Sequence, residues 1–236
     1  MIWLQQNDIK RRMLRKIISE GLGTLLLLAT VVGSGIMGER LAGGNVGIAL
    51  FANSIATGAM LVVLILVFGN ISGGHFNPAV TLILGLQNRM PRAQIFFYIF
   101  SQFFGAIAGV WLAHAMFGES ILMVSSHPRE GYSQLLGEFV ATFGLLLTIL
   151  ACIRYRPGAV AAAVGLYILA AFWFTSSTSF ANPAVTLARG LTNTFSGIRP
   201  VDIPFFILAQ IAGAASALFL SRFLLSDFSR LCGEEK

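Results

Sequence analysis

Charge is what this chain lacks. Of 236 residues only 16 are Lys or Arg and 10 are Asp or Glu, a share of 11%, against about 25% in ordinary soluble domains. Residues 41–88, 93–118 and 157–188 contain no Asp, Glu, Lys or Arg at all. Charge-free runs of that length exclude a soluble domain and read as membrane spans. Cysteine is scarce as well: Cys152 and Cys232 lie 80 residues apart, which fits neither a disulfide framework nor a zinc spacing. His75, His114 and His127 have no ligand spacing, and the chain has no glycine-rich phosphate loop and no nucleophile constellation. No metal, no cofactor and no enzymatic activity are therefore expected. The net charge of +6 falls in short clusters between apolar windows rather than on one basic face, which argues against nucleic acid as a partner.

Apolar windows of about 20 residues predict six spans, near 14–38, 46–69, 92–116, 132–152, 157–174 and 201–224. The first follows a basic cluster, Lys10, Arg11, Arg12, Arg15 and Lys16, and is too long for a signal peptide, so it is read as a span. Two apolar pieces are left over, roughly 77–88 and 182–193, each about 18 Å long as helix and too short for a hydrocarbon core of about 30 Å. Twelve Lys and Arg fall on one side of the predicted spans, whereas Arg40, Arg129 and Arg199 fall on the other. That asymmetry predicts both termini in the cytoplasm, as an even number of spans requires. Trp3, Trp111 and Trp173 are expected near the interfaces.

The chain also repeats itself. Asn77-Pro78-Ala79-Val80-Thr81-Leu82, with Gly85-Leu86 and Asn88, recurs as Asn182-Pro183-Ala184-Val185-Thr186-Leu187, with Gly190-Leu191 and Asn193, so that nine of twelve positions are identical. Upstream, Glu20 and Thr24 answer Glu138 and Thr142; downstream, Gln102, Gly105 and Ala106 answer Gln210, Gly213 and Ala214. Each half, about 14–116 and 132–224, therefore holds three spans and one short piece. Because three is odd, the second half enters the membrane upside down. The expected fold is an all-α integral membrane protein, with six transmembrane helices and two re-entrant half-helices in one domain over 1–236.

Asn before Pro suits a helix start: the side chain can cap the first amides, and Pro is tolerated at the first helical position. Inverted symmetry brings the two starts together near mid-membrane, with their positive dipole ends converging. Amide donors and positive ends suit the oxygen of a neutral solute and repel cations. The preceding stretches, Ser72 to His75 and Thr175 to Ser179, are irregular backbone, tolerated at this depth only where protein or water satisfies it. Gly73, Gly74, His75, Ser177 and Thr178 are accordingly expected to line a pore. Glu20 and Glu138 are read as braces that accept amides of these loops, the alternative being a proton pathway. Gly21, Gly23, Gly105, Ala106, Gly109, Gly213 and Ala214 are read as packing contacts.

The paired Asn-Pro-Ala motifs, the matched glutamates and the glutamines resemble the aquaporin, or major intrinsic protein, family over nearly the whole chain. The resemblance implies a homotetramer with one pore per subunit, in a bacterial-type inner membrane and bathed by lipid, passing water and small neutral solutes. It also implies a constriction made of Thr57, Phe172 or Ala170 (two alignments of the fifth span differ), Ser179 and Val185. Water- and glycerol-conducting relatives usually carry arginine where this chain has Val185, and strict water channels often carry an aromatic ring where it has Thr57. A wider, less polar constriction is expected, which admits glycerol, urea and, as in some bacterial relatives, neutral arsenic or boron hydroxides. Arg189, four residues after Val185, can lean back to supply a vestibule charge, or instead cap the half-helix end or snorkel to the interface. The rival readings are a proton-coupled secondary transporter and a non-conducting structural protein. Mercurials are expected not to block at the constriction, because Ser179 stands where some relatives have cysteine; a block abolished by Ser179→Ala would contradict that placement.

Overall fold

The computed structural model describes residues 2–87 and 90–225, with side chains from residue 10 onward. The Trp3 side chain, Asn88, Arg89, Arg230, Cys232 and Lys236 lie outside the described residues. The described residues form α1 (Ile2–Leu41), α2 (Val46–Ser72), α3 (Pro78–Gln87), α4 (Arg92–Phe117), α5 (Tyr132–Tyr155), α6 (Val160–Phe174), α7 (Pro183–Arg189) and α8 (Ile203–Leu224), and no strand. Six of these helices are long and apolar enough to cross a membrane, as the apolar windows predict. The two remaining helices, α3 and α7, are the re-entrant pieces.

Local chemistry sets the boundaries. Asn45 caps α2 by accepting from the Ile48 amide at 3.2 Å, and Gly73, at φ +98°, ends it. Gly118, at φ +69°, ends α4. α6 begins after a single 3-10 turn at Pro157–Ala159. The sequence pattern places the end of the second short piece near 193, whereas α7 stops at Arg189. After Arg189 the chain turns back, and Ile198 donates to the Arg189 carbonyl at 3.2 Å, while Ser125 from the 118–131 loop donates to Gly190 at 2.9 Å. Those tertiary bonds take the carbonyls that another helical turn would have needed.

Packing follows the repeat. α1 packs on α2 and α4, α5 packs on α6 and α8, and α2 crosses α6 to join the halves. Small residues allow close contact of the backbones. A Cβ at Gly105 would lie 2.1 Å from the Gly21 carbonyl oxygen, and one at Gly213 would lie 2.3 Å from that of Phe139. Burial of apolar surface cannot drive helices together in lipid, so this intimate van der Waals contact carries the association. The outer faces are apolar, with Phe104, Leu208 and Phe219 largely exposed, as lipid contact requires.

The glycine contacts carry a stability prediction. Gly105→Val and Gly213→Val should each lower the thermal stability of the detergent-purified protein by more than ~3 kcal/mol, the upper end for overpacking, because backbone rather than a side chain would have to move. Gly158→Ala, where an added Cβ meets nothing within 4 Å, should leave it unchanged. Equal melting of all three variants would contradict the packing role.

Candidate functional site

Each half-helix opens on an asparagine whose side chain serves both its own helix start and the opposite loop. Asn77 Oδ1 accepts from the Ala79 amide at 2.9 Å, and its Nδ2 donates to the Ala181 carbonyl of the opposite loop at 2.8 Å. Asn182 Oδ1 accepts from Ala184 and Val185 at 3.0 and 3.3 Å, and its Nδ2 donates to the Phe76 carbonyl at 2.8 Å. The two motifs are thus clasped together, and Pro78, Ala79, Pro183 and Ala184 are buried behind them. An amide nitrogen carries two N–H groups. The sequence reading left both for a solute, whereas the fold spends one from each asparagine on the clasp and leaves one.

A buried carboxylate stands behind each loop. Glu20 accepts from the Ser72 hydroxyl at 2.6 Å, the His75 and Phe76 amides at 3.0 and 2.7 Å, and Gln102 Nε2 at 2.8 Å. Glu138 accepts from the Phe180 and Ala181 amides at 2.8 and 2.9 Å and from Gln210 Nε2 at 2.5 Å. The same glutamines donate to Thr81 and Thr186 at 2.8 and 2.7 Å. Both glutamates are fully buried, and satisfied amides at membrane depth require such acceptors. The loops bend sharply to present their amides: Phe76, Thr178, Ser179 and Ala181 all have φ between +47° and +59°, and such left-handed turns persist where surroundings over-determine them.

Between the two halves runs a cavity of about 380 Å³, lined by Gly73, Gly74, His75, Asn77, Asn182 and, toward the other end, by Thr57, Phe172, Ser179, Val185 and Arg189. Phe172 lines it, while Ala170 lies exposed on the outside of α6. The carbonyls of Gly73, Gly74, His75, Ser179 and Phe180 accept from no protein donor among the described residues. Thr57 Oγ1 and Ser179 Oγ, on residues of that wall, are buried without a hydrogen-bond partner among the described residues. His75 Nδ1 lies 3.1 Å from Thr81 Oγ1. The same oxygen accepts from Gln102 Nε2 at 2.8 Å, which ties the histidine to the brace of its own loop.

Two placements differ from expectation. Ser177 and Thr178 do not line the cavity: Ser177 is fully buried, its carbonyl accepts from Arg129 at 3.1 Å, and the Thr178 hydroxyl accepts from the same guanidinium at 3.3 Å. Arg189 neither caps α7 nor snorkels. It is 3% exposed, its Nε donates to the Ser196 carbonyl, and its guanidinium carbon sits 3.4 Å from the centre of the Phe180 ring. Arg129 belongs to the 118–131 loop, where no motif or repeat marks its position. Burial lowers its guanidinium to about 10, opposed by the Glu138 carboxylate, so it is charged at neutral pH. Thr81 and Thr186 were legible inside the repeated hexapeptide, although their partners were not.

Two half-helices clasped head to head inside six spans, around a mostly apolar cavity with polar groups of the two loops along its wall, define a membrane channel of the aquaporin type. The major intrinsic protein model matches residues 8–160. The chain is 54% identical over 222 residues, 94% of its length and 93% of the relative's, to aquaglyceroporin AqpS of Rhizobium meliloti (strain 1021). It is 31% identical to aquaporin NIP2-1 of Oryza sativa subsp. japonica, over 90% of this chain and 71% of that one. The X-ray structure of the aquaglyceroporin from Plasmodium falciparum superposes with a TM-score of 0.72 at 20% identity, covering 93% of this chain and 99% of that one. The chain belongs to the major intrinsic protein family, and as such is a passive multi-pass membrane channel for water and small solutes, not an enzyme.

Removing a brace should unmake the loop it holds. Glu138→Ala would leave the Phe180 and Ala181 amides without acceptors, at ~1–3 kcal/mol each, and should lower both thermal stability and water flux in proteoliposomes. Glu138→Gln, which keeps one acceptor oxygen, should recover part of both. Unchanged flux in Glu138→Ala would refute the bracing role.

Proposed function

We propose that this pore passes glycerol, urea and neutral arsenic or boron hydroxides as well as water, in single file past Asn77 and Asn182, through a constriction formed by Thr57, Phe172, Ser179 and Val185. The observation that carries this reading is the pair of buried, unpartnered hydroxyls of Thr57 and Ser179 on a wall where residue 185 is a valine. Buried polar atoms are normally satisfied, so these two are matched to the hydroxyls of a passing solute. Threonine and valine fill less space than an aromatic ring and an arginine, which favours solutes wider than water. The carbonyls of the two loops, with the free N–H of each asparagine, supply a continuous run of acceptors and donors that replaces the hydration of a neutral polyol. The name of the Rhizobium relative, an aquaglyceroporin, agrees with this solute class.

In this reading residues 1–236 form one channel domain, assembled as a homotetramer in the lipid of the inner membrane, with both termini cytoplasmic. The charge asymmetry supports the orientation: Lys10, Arg11, Arg12, Arg15 and Lys16 lie in the first half of α1, ahead of its apolar stretch, and Arg154 and Arg156 lie at the end of α5. A proton-coupled transporter is disfavoured because both intramembrane carboxylates are committed to loop amides.

Stopped-flow light scattering on proteoliposomes tests the proposal. Shrinkage in a non-permeant osmolyte should be fast, and re-swelling in glycerol, urea or neutral arsenous acid should also be fast and indifferent to an imposed pH gradient. Val185→Arg should slow glycerol and urea re-swelling about tenfold or more relative to water, as a narrowed filter does. Fast shrinkage with no re-swelling in the parent protein would mean a water-selective pore with a different constriction.

A further inference from the structure

The two halves are nearly identical around their motifs, yet differ in where they carry charge. Aligning Asn77 with Asn182 pairs Leu84 with Arg189 and His75 with Phe180. Leu84 and Arg189 both line the cavity, so the repeat puts an aliphatic chain at one end and a guanidinium at the other. Phe180, in place of the histidine, serves as a platform. The guanidinium carbon of Arg189 lies 3.4 Å from the ring centre and that of Arg129 lies 4.8 Å from it, while Phe206 meets the same ring edge-on at 5.3 Å.

Neither guanidinium is in an ion pair among the described residues, although the buried Glu138 carboxylate attracts both. The ion pairs there join Arg40 to Glu119 and Arg199 to Glu130 and Asp202, and the Glu138 carboxylate is committed to the Phe180 and Ala181 amides. Arg129 spends its donors on carbonyls of Gly197 and Ser177 and on the Thr178 hydroxyl. Arg189 spends only Nε, on Ser196; its two terminal nitrogens have no acceptor among the described residues. Stacking on aromatic faces is a recognised way to hold a guanidinium without neutralising it. The result is two guanidiniums held at one end of the pore against the single carboxylate of Glu138, one of them, Arg189, on the cavity wall with its two terminal nitrogens not hydrogen-bonded among the described residues.

We propose that the Arg129–Phe180–Arg189 stack is the cation barrier and donor site of the outer constriction, replacing the arginine absent at position 185. This rests on the channel reading above. Arg189 donates from its terminal nitrogens to the oxygen of a passing neutral solute. Arg129 reaches the stack from the 118–131 loop, adds the second charge and fixes the re-entrant loop that carries Phe180. Displacing the guanidinium by one helical turn from 185 leaves the constriction wide at the valine while its electrostatic rejection of cations is retained.

The test compares sodium and proton leak, each normalised to water flux in the same proteoliposomes, for the parent protein and for Arg189→Gln, Arg189→Met, Arg129→Met, Arg129→Lys and the Arg129→Met/Arg189→Met pair. Normalised leak should rise about tenfold in Arg189→Met, the scale of removing a unit charge a few ångströms from the path, and further in the double variant. Arg129→Lys should keep the barrier that Arg129→Met loses, because a charge survives although the fork of hydrogen bonds does not. Arg189→Gln retains a polar chain on Phe180 and reads the charge alone where the methionine variant does not fold. Leak unchanged in Arg189→Gln and in the double variant overturns the proposal, and Arg129→Lys leaking as much as Arg129→Met reduces Arg129 to a structural tie. A parent protein that conducts no water would instead overturn the channel reading on which the proposal stands.

Discussion

Everything in this molecule depends on keeping non-helical backbone satisfied in the middle of a membrane. Hydrocarbon offers no hydrogen bonds, so each amide turned away from a helix must find a protein acceptor or face a polar cavity. Glu20 and Glu138 meet that demand on the side of the loops away from the cavity, by accepting two loop amides each. On the opposite side the loop carbonyls are left to the cavity. The braces and the pore wall are thus two faces of the same backbone, and the buried carboxylates are the reason that the wall can be polar.

The clasp between the two asparagines extends that logic across the halves. Each side chain satisfies its own helix start with its oxygen and the other loop's carbonyl with its nitrogen. One half alone would leave the second demand open, since the Phe76 or Ala181 carbonyl would lose its partner. Duplication and inversion are therefore requirements of the site, and the glycine contacts of α1 with α4 and of α5 with α8 let the helices approach closely enough for the loops to meet.

Symmetry of the scaffold does not impose symmetry on the chemistry. Where the first loop has His75, whose Nδ1 lies 3.1 Å from the Thr81 hydroxyl, the second has Phe180 in contact with arginines from two different segments. The Thr186 hydroxyl, freed from a histidine, donates instead to the Asn182 carbonyl at 2.8 Å. Polar contacts of the two loops are thus equivalent at the braces and divergent beyond them.

The sequence by itself determined the six spans, the two short helices, their inverted relation and the pairing of Asn77 with Asn182 and Glu20 with Glu138. These follow from periodicity, length and repetition, which are properties of a linear string. It also placed Thr57, Phe172, Ser179 and Val185 as candidates through family resemblance, and all four line the cavity. Only the tertiary structure decided which way Ser177 and Thr178 turn, where α7 stops and what Arg189 touches. Each of these depends on the 118–131 loop folding onto the second re-entrant loop, with Ser125 on Gly190 and Arg129 on Ser177 and Gly197. Contacts between segments tens of residues apart, made by single side chains without a repeat mate, leave no periodic trace, and so the loop that decides the outer mouth is the part that local pattern could not reveal.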